Sequence, residues 1–339
     1  MLQAIMYGAG DLRLQERPLD PDSIAADQVY VETEVTALST GTDLANFEGR
    51  SREVPDAPDY PRGVGYSNVG RVVRAGTDVT KLRIGQRVFS MQPHLSAFIA
   101  GQDELLVPVP ENVTSEQASL AYLIQLGVAA LRQARYETGE SVAVVGLGVI
   151  GLGTVGVARA MGARVVAIAN APNRAERARR VGAHLAVLSD EARRPADLSA
   201  VCGAEGVDVV ILTANTWPAY KTSVDIVRYG GRISVLGFPG RAQPAPGFNP
   251  LDMSWFYGKQ LTLIGAGYAA RFDCAPAAIR FNLRRNLEYI LALMRTGELD
   301  LEPIISHSLP AKQMPEAYEL ARTHSKELIA AVFDWRGIS

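Results

Sequence analysis

The sequence predicts an α/β protein in which a doubly wound parallel sheet lies within a chain otherwise rich in short strands. Three observations lead to this fold class. A valine-rich run at 141–145 enters three glycines at G-x-G-x-x-G spacing, and a small-residue helix follows. Strand and helix patterns alternate over 141–265, as in a parallel sheet covered on both faces. Residues 1–110 instead show short strand patterns punctuated by prolines.

Length and composition limit the classes of protein that fit. The 339 residues suffice for two domains, and 47% hydrophobic with 21% charged residues indicates a large core. A net charge of -2 gives no electrostatic reason to expect nucleic acid or an anionic membrane as partner. Two cysteines, Cys202 and Cys274, make no disulfide framework. We expect neither a signal peptide nor a membrane span, and predict a cytoplasmic protein.

The first part of the chain carries the patterns of short strands followed by one helix. Alternation from Val29 to Val35 predicts a half-buried strand. Further strand patterns cover 63–75, 85–89 and 105–109. Thr114 and Gln117 fit a capping box, which predicts the start of a long apolar helix that continues to about Arg135.

The central part of the chain repeats the order strand, helix, strand. Strands are predicted at 141–146, 164–169, 184–188, 207–213, 231–237 and 260–265. Helices are predicted at 149–161, 174–181, 190–201 and 217–228. Beyond Gly267, we predict helices at 279–296 and 311–322 and a terminal strand at 328–333. Gly297 is placed to end the first of these two helices.

The glycine turn after the first central strand predicts a dinucleotide site. Gly146 suits the tight turn, Gly148 lets the backbone approach a pyrophosphate, and Gly151 lets the helix pack closely on the strand. The helix start at Val149 and Ile150 offers N–H groups and a positive dipole end to the phosphates. The alternative is a glycine-rich turn that binds no ligand.

Several stretches in the same order resemble the medium-chain dehydrogenase/reductase superfamily, which includes the zinc-type alcohol dehydrogenases and zinc-free relatives. The resemblance covers nearly the whole chain, and its main stretches are 39–44, 65–73, 84–88, 146–151, 207–213 and 230–237. It implies a GroES-like β-barrel catalytic domain at 1–125 and 266–339. A Rossmann dinucleotide-binding domain is then inserted at 126–265.

The resemblance also implies where a catalytic zinc would be bound in relatives that have one. The first cysteine ligand aligns with Thr40, a His-Glu pair aligns with Tyr66 and Ser67, and the last ligand aligns with about Tyr122. Hydroxyl groups are poor zinc ligands beside thiolate, imidazole or carboxylate. Residues 89–110 also lack the cysteines of the family's structural zinc. The sequence therefore predicts a protein without a metal.

The choice of dinucleotide rests on the end of the second central strand. NAD-specific relatives place an acidic residue there to bind the ribose 2′-OH, but this chain has Ala169 and then Asn170. Arg174 follows at the start of the next helix and suits a 2′-phosphate. We predict NADP, with NAD possible, and by resemblance a further cofactor contact at Gly237. The alternative is that Arg174 is a solvated charge.

Hydroxyl groups and one imidazole are the candidates for proton chemistry. The resemblance places Thr40 and Tyr66 beside the nicotinamide, and Thr42 matches the hydroxyl that begins the proton relay of alcohol dehydrogenases. Tyr66 suits a hydrogen-bond donor to a carbonyl or enolate oxygen, and otherwise a core aromatic ring. His94 suits a loop acid/base, and otherwise an incidental histidine. Asp43 is as readily explained by a structural role as by catalysis.

The substrate and the assembly are less determined by the sequence. The predicted pocket for a small-molecule substrate includes Tyr122, Tyr268 and Arg271, of which Arg271 suits an anionic group. Residues 259–266 resemble the strand through which dimers of the family pair, which predicts a homodimer.

Three functions follow from these observations. The favoured one is zinc-independent reduction of an activated C=C bond or quinone by NADPH. The second is metal-free interconversion of a secondary alcohol and a carbonyl compound, which a resemblance to bacteriochlorophyllide dehydrogenase-like proteins supports. The third is a non-catalytic nucleotide-binding protein.

Overall fold

The computed structural model describes residues 1–50, 59–190, 195–240, 243–267, 281–323 and 326–338. The strands are β1 (Leu2–Gly8), β2 (Asp11–Glu16), β3 (Gln28–Ala37), β4 (Arg62–Gly63), β5 (Asn68–Ala75), β6 (Arg87–Ser90), β7 (Ala97–Gly101), β8 (Val107–Pro108), β9 (Ser141–Val145), β10 (Arg164–Ala169), β11 (Leu185–Leu188), β12 (Val207–Leu212), β13 (Val227–Val235), β14 (Thr262–Gly265), β15 (Ile305–Pro310) and β16 (Ala330–Asp334). The α-helices are α1 (Thr42–Phe47), α2 (Ser115–Ser119), α3 (Ala121–Gln133), α4 (Val149–Ala160), α5 (Pro172–Arg180), α6 (Pro195–Cys202), α7 (Trp217–Ile226), α8 (Leu283–Thr296) and α9 (Met314–Arg322).

One compact unit consists of residues 1–122, 287–295 and 305–339 and is built on mostly antiparallel sheets. Strand β3 is the centre of the larger sheet, because it pairs with β5, β7 and β16. Its alternating valines, predicted to face a core, are confirmed as buried: Val29 and Val31 are both 0% exposed. A smaller sheet has the order β2-β1-β4.

The other compact unit consists of residues 123–286 and 296–304. In its described part, a parallel sheet has the strand order β11-β10-β9-β12-β13-β14. Numbered within this unit, that order is 3-2-1-4-5-6, so the direction of winding reverses between β9 and β12, and ligands of such sheets bind at this reversal. The predicted doubly wound parallel sheet is confirmed. The predicted domain limits at 125/126 and 265/266 stay a prediction.

The helix predicted from residue 114 to about 135 is divided in two. Thr114 is its N-cap as predicted, since its hydroxyl accepts from the N–H of Gln117 at 3.2 Å. The first helix ends at Ser119, whose hydroxyl donates to the carbonyl of Glu116 at 2.7 Å. Side-chain bonds of this kind compete with the helical ladder, which explains the interruption at Leu120.

Helix α7 ends two residues before its predicted end, and strand β13 begins at once. The ammonium group of Lys259 donates to the carbonyls of Val224, Asp225 and Val227 at 2.7–3.0 Å. The carbonyls of Val224 and Asp225 lie in the last turn of the helix and have no partner within it. A cation more than thirty residues away therefore terminates the helix, which local sequence patterns do not reveal.

Two remaining details concern helix ends and length. Gly297 has a φ of 76°, in the left-handed region, and ends α8 as predicted. The predicted start of α8 at residue 279 lies outside the described residues. No helix in the described part of the chain combines the length and the apolar character needed to cross a bilayer.

Candidate active site

The three glycines after β9 differ in what surrounds them. Gly146 has a φ of 97°, and a Cβ there would lie 2.7 Å from Ala214. A Cβ on Gly151 would lie 1.9 Å from the carbonyl oxygen of Gly146. A Cβ on Gly148 would meet nothing within 4 Å. Two glycines are thus required by packing within the unit, while the third faces open space at the start of α4.

Thr213, which the sequence analysis did not select, fixes this turn from the neighbouring strand. Its hydroxyl donates to the carbonyl oxygen of Gly146 at 2.6 Å and lies 3.3 Å from that of Val145. The residue directly follows β12, so it lies at the reversal of the sheet. The sequence feature that could have identified Thr213 is a hydroxyl residue at the carboxyl end of a central strand.

Arg174 lies on α5 and reaches back to the glycine turn. One of its terminal nitrogens donates to the carbonyl of Leu147 at 3.4 Å, and its Nε is buried with no hydrogen-bond partner among the described protein atoms. Burial lowers the pKa of this guanidinium. The arginine is therefore not the solvated helix charge of the alternative interpretation, since it is held across the turn.

The other predicted cofactor residues occupy different environments. Ala169 ends β10 and is buried, whereas Asn170 is exposed. Gly237 is buried, and a Cβ there would lie 2.6 Å from the carbonyl oxygen of Ala214. Val149 is buried and Ile150 is partly exposed at the start of α4. Their contacts with a cofactor stay predictions.

In the β-rich unit, the predicted hydroxyls gather around Tyr66. The hydroxyl of Tyr66 donates to Oγ of Ser39 at 2.5 Å, and Thr42 is a second hydrogen-bonding neighbour. The ring of Tyr122 meets the ring of Tyr66 edge-on, with centroids 5.1 Å apart. Tyr66 and Thr40 are partly exposed, while Tyr122 is 6% exposed. The structure thus brings Thr42, Tyr66 and Tyr122 together, with Ser39 and Thr42 at the Tyr66 hydroxyl and the Tyr122 ring against the Tyr66 ring.

Asp43 lies next to this group, and its carboxylate joins two backbone segments by hydrogen bonds. Its carboxylate accepts from the N–H of Ser39 at 3.0 Å and from the N–H of Gly65 at 3.3 Å. The side chain is almost completely buried, and burial raises its pKa to about 6 although both amides act in the opposite direction. This favours the structural interpretation of Asp43, because it holds the backbone on either side of the hydroxyl group.

His94 does not lie at an accessible surface as the catalytic hypothesis requires. It is on a loop between β6 and β7 as predicted, but it is 0% exposed. Its Nδ1 lies 2.7 Å from the hydroxyl of Thr36, and its ring packs edge-on against Phe333 and Tyr318. Burial lowers its pKa to about 3, so the ring is neutral near pH 7. We therefore leave His94 out of the proposed chemistry.

Two predicted pocket residues, Tyr268 and Arg271, lie outside the described residues. Ser39 was not selected from the sequence, although it is the hydrogen-bond partner of Tyr66. Its only local signal is its place next to Thr40 in a run of hydroxyl residues, and the pairing with Tyr66 joins positions 27 residues apart.

Two family models match the chain. The model described as zinc-binding dehydrogenase matches residues 149–283, and the alcohol dehydrogenase GroES-like domain matches residues 25–111. The second match agrees with the GroES-like prediction for the β-rich unit. The two matches thus fall on the two parts of the chain in the predicted order.

Known proteins similar to the chain include dehydrogenases. It is 28% identical to the probable zinc-binding alcohol dehydrogenase of Mycobacterium tuberculosis, over 96% of this chain and 87% of that protein. It is 26% identical to the D-guloside 3-dehydrogenase of Escherichia coli, over 87% of this chain and 89% of that protein. The solved alcohol dehydrogenase from Thermus sp. ATN1 has a TM-score of 0.76 at 23% identity, covering 98% and 99% of the two chains, and shows the fold.

The prediction of a protein without zinc is contradicted by these comparisons. The matching family model is that of zinc-binding dehydrogenases, and one relative is named as zinc-binding. The side chains described at the aligned positions, Thr40, Tyr66 and Tyr122, do not fit a zinc site. In the described part of the chain, no three His, Cys, Asp or Glu side chains are grouped to hold a metal ion. We derive no chemical step through a metal.

Proposed function

Because this chain belongs to the alcohol dehydrogenase-like superfamily, we propose that it interconverts an alcohol and a carbonyl compound. It is an NAD(P)-dependent oxidoreductase. The predicted preference for an activated C=C bond or a quinone is not supported, since the relatives are named as dehydrogenases of alcohols and of D-guloside. Alcohol and carbonyl interconversion fits these relatives better.

The observation that carries the proposal is the glycine turn. Gly148 faces open space where the backbone can approach a pyrophosphate, while Gly146 and Gly151 are held by packing. The first amides of α4 have no acceptor within the helix, as at every helix start, and suit phosphate oxygens. The guanidinium of Arg174 adds a positive charge at the same turn. The dinucleotide supplies the hydride acceptor when it is bound.

On the substrate side, we assign a hydrogen bond with the reacting oxygen to Tyr66. Burial, and then the charge of Asp43, raise the pKa of Tyr66, while its hydrogen bonds with Ser39 and Thr42 act in the opposite direction. The phenol therefore stays protonated near neutral pH. A neutral hydroxyl can donate to a carbonyl oxygen and accept from an alcohol, which are the two partners of this reaction. Thr40 and Thr42 stay predicted polar contacts.

The substrate class we propose is a small molecule with a secondary hydroxyl among several. The named substrate of one relative, D-guloside, belongs to this class. Hydroxyl-rich substrates need polar partners in the site, and the group around Tyr66 consists of hydroxyls. The net charge of -2 gives no reason to prefer a strongly charged substrate.

We also propose a homodimer that pairs through strand β14. Within the described residues this strand has a partner on one side only, β13, and so forms the edge of the parallel sheet. An exposed edge presents unpaired backbone groups to a second strand. Light scattering coupled to size-exclusion chromatography tests this, and a mass of 36.5 kDa at micromolar concentration contradicts it.

The function is tested with the purified full chain, as isolated and with added zinc. Secondary alcohols, polyols and glycosides are offered with NAD⁺ and with NADP⁺, and formation of the reduced dinucleotide is followed by its absorbance. Enones and quinones are offered in parallel with NADH and NADPH. Alcohol-dependent reduction of either dinucleotide supports the proposal. Turnover of enones or quinones alone, or dinucleotide binding without turnover of any compound, contradicts it.

A further inference from the structure

The hydroxyl of Tyr66 has a buried partner that belongs to another segment of the chain. Ser39 is 5% exposed, and its Oγ lies 2.5 Å from the hydroxyl oxygen of Tyr66. Tyr66 itself is partly exposed, and its hydroxyl has Ser39 and Thr42 as protein neighbours. Ser39 is therefore placed behind the hydroxyl that we assign to the substrate.

We propose that Ser39 is the positioning residue that sets the orientation of the Tyr66 hydroxyl for the reaction. The inference rests on the proposed function of Tyr66. It concerns a residue that does not itself touch the substrate. Its role is to hold the phenol oxygen in place and to exchange the direction of one hydrogen bond with it.

Both backbone polar groups of Ser39 form hydrogen bonds with Asp43. Its N–H donates to Oδ2 of Asp43 at 3.0 Å, and its carbonyl accepts from the N–H of Asp43 at 3.0 Å. The other carboxylate oxygen of Asp43 accepts from Gly65, the residue before Tyr66. One buried carboxylate thus holds the backbone of Ser39 and of Gly65, which limits how far Ser39 and Tyr66 can move apart.

The pairing of two hydroxyls matches the chemistry of an alcohol and a carbonyl. A hydroxyl donates one hydrogen bond and accepts others, so the bond between Ser39 and Tyr66 can run in either direction. When a carbonyl compound is bound, Ser39 donates to Tyr66 and Tyr66 donates to the carbonyl oxygen. When an alcohol is bound, the alcohol donates to Tyr66 and Tyr66 donates to Ser39. Both bonds are satisfied in each bound state, with Ser39 and Tyr66 neutral. Oxidation passes the hydride to the dinucleotide and releases one proton from the alcohol through the hydroxyl of the partly exposed Tyr66 to solvent, and reduction takes up one proton by the same route.

Edge-on contact with Tyr122 limits the other motion of the Tyr66 ring. The two ring planes meet at 72°, with centroids 5.1 Å apart, and Tyr122 is buried. The ring is therefore held by packing and the hydroxyl by Ser39. We expect loss of the Ser39 hydroxyl to leave the ring in place and to remove one of the two hydroxyl partners of the Tyr66 oxygen, the other being Thr42.

The kinetic test is a double-mutant cycle between Ser39→Ala and Tyr66→Phe. Ser96→Ala is the matched control, because Ser96 is also 5% exposed in the same unit but its Oγ accepts from the N–H of Leu2. We expect Ser39→Ala to lower kcat about tenfold, the effect of losing one such bond. The KM for the dinucleotide should stay unchanged, and Ser39→Thr should restore part of kcat. In the Tyr66→Phe background, Ser39→Ala should have no further effect.

Equal losses from Ser39→Ala in both backgrounds overturn the inference, because Ser39 would then act independently of Tyr66. So does an unchanged kcat in Ser39→Ala when Tyr66→Phe lowers it. A loss of kcat in Ser96→Ala as large as in Ser39→Ala has the same consequence, since it shows a general effect of a buried serine.

A second measurement separates this inference from the proposed function. Tyrosine labelled with ¹³C at Cζ gives an NMR signal for Tyr66, identified by its loss in Tyr66→Phe. We expect this signal to shift in Ser39→Ala and to stay unchanged in Ser96→Ala. An unchanged signal in Ser39→Ala overturns the inference whether or not the chain turns over alcohols. A shifted signal in a chain that oxidises no alcohol overturns the proposed function and leaves the Ser39–Tyr66 bond established.

Discussion

The hydroxyl of Thr213 lies 2.6 Å from the carbonyl oxygen of Gly146, and so joins the end of β12 to the glycine turn after β9. These two strands flank the reversal of the parallel sheet. The turn is therefore fixed by its neighbour strand as well as by its own glycines.

We expect Thr213→Val to loosen this turn while keeping the shape of the side chain. Loss of the bond should lower the free energy of unfolding by about 1 kcal/mol and raise the dinucleotide Kd about fivefold. Thr222→Val is the control, since Thr222 is a buried threonine whose hydroxyl donates to the carbonyl of Pro218 within α7. Calorimetric titration and urea unfolding measure both quantities. A dinucleotide Kd that rises equally in both variants contradicts a specific role for Thr213.

The glycines of the turn should separate into two classes when each is changed to alanine. Gly148→Ala should leave the free energy of unfolding within about 0.5 kcal/mol of wild type, because its Cβ enters open space. Its dinucleotide Kd should rise about tenfold, since the methyl group occupies the approach to the phosphates. Gly151→Ala should cost roughly 3 kcal/mol of stability, because its Cβ would overlap the carbonyl of Gly146. Wild-type affinity in Gly148→Ala would show that phosphates do not occupy that space.

Arg174→Gln should weaken dinucleotide binding, because it removes the guanidinium held across the turn. We expect Kd to rise about tenfold, the effect of losing one charge-assisted bond. Arg177→Gln is the matched control, since Arg177 lies on the same helix but donates to the carbonyl of Pro303. Titrations with NAD⁺ and NADP⁺ show which dinucleotide is affected more. Equal Kd values for Arg174→Gln and wild type with both dinucleotides remove Arg174 from the site.

The buried His94 should make stability depend on pH in the acidic range. Its pKa is about 3 in the folded chain and 6.5 when exposed, so the unfolded chain binds the extra proton between these values. Its contribution to stability is present above pH 6.5 and is lost as the pH falls toward 3. In His94→Gln, the slope of unfolding free energy against pH should decrease by about 1.4 kcal/mol per pH unit in this window.

Asp43 has the opposite dependence, because its raised pKa of about 6 makes the folded chain bind the extra proton between pH 3.8 and 6. Both proteins retain Asp43, so its effect cancels in the difference between them. Urea unfolding can be followed through the buried Trp335 in a chain with Trp217 and Trp255 replaced by phenylalanine. Identical slopes in the two proteins would show that burial does not lower the pKa of His94 in the folded chain.

Local sequence patterns predicted much of the fold. The alternation of β3, the capping hydroxyl of Thr114 and the glycine that ends α8 all depend on neighbouring residues, and each is confirmed. The valine run of β9 is likewise buried on both faces, as a central parallel strand should be.

The features that local sequence patterns did not predict depend on contacts between residues far apart in the sequence. Lys259 ends α7, Thr213 fixes the glycine turn, and Ser39 pairs with Tyr66, each across 27 residues or more. His94 was misjudged for the same reason. Its loop position was predicted correctly, but its burial is decided by Phe333 and Tyr318 from the far end of the chain.

Because the three glycines have different surroundings, they give different information about nucleotide binding in other sequences of this fold. Gly146 and Gly151 are required by the packing of the strand, the turn and the helix. A related protein that no longer bound a nucleotide would therefore still need both glycines. Packing within the protein does not require a glycine at position 148. A larger residue at that one position, with both neighbours intact, would mark a chain that has kept the fold and given up the ligand.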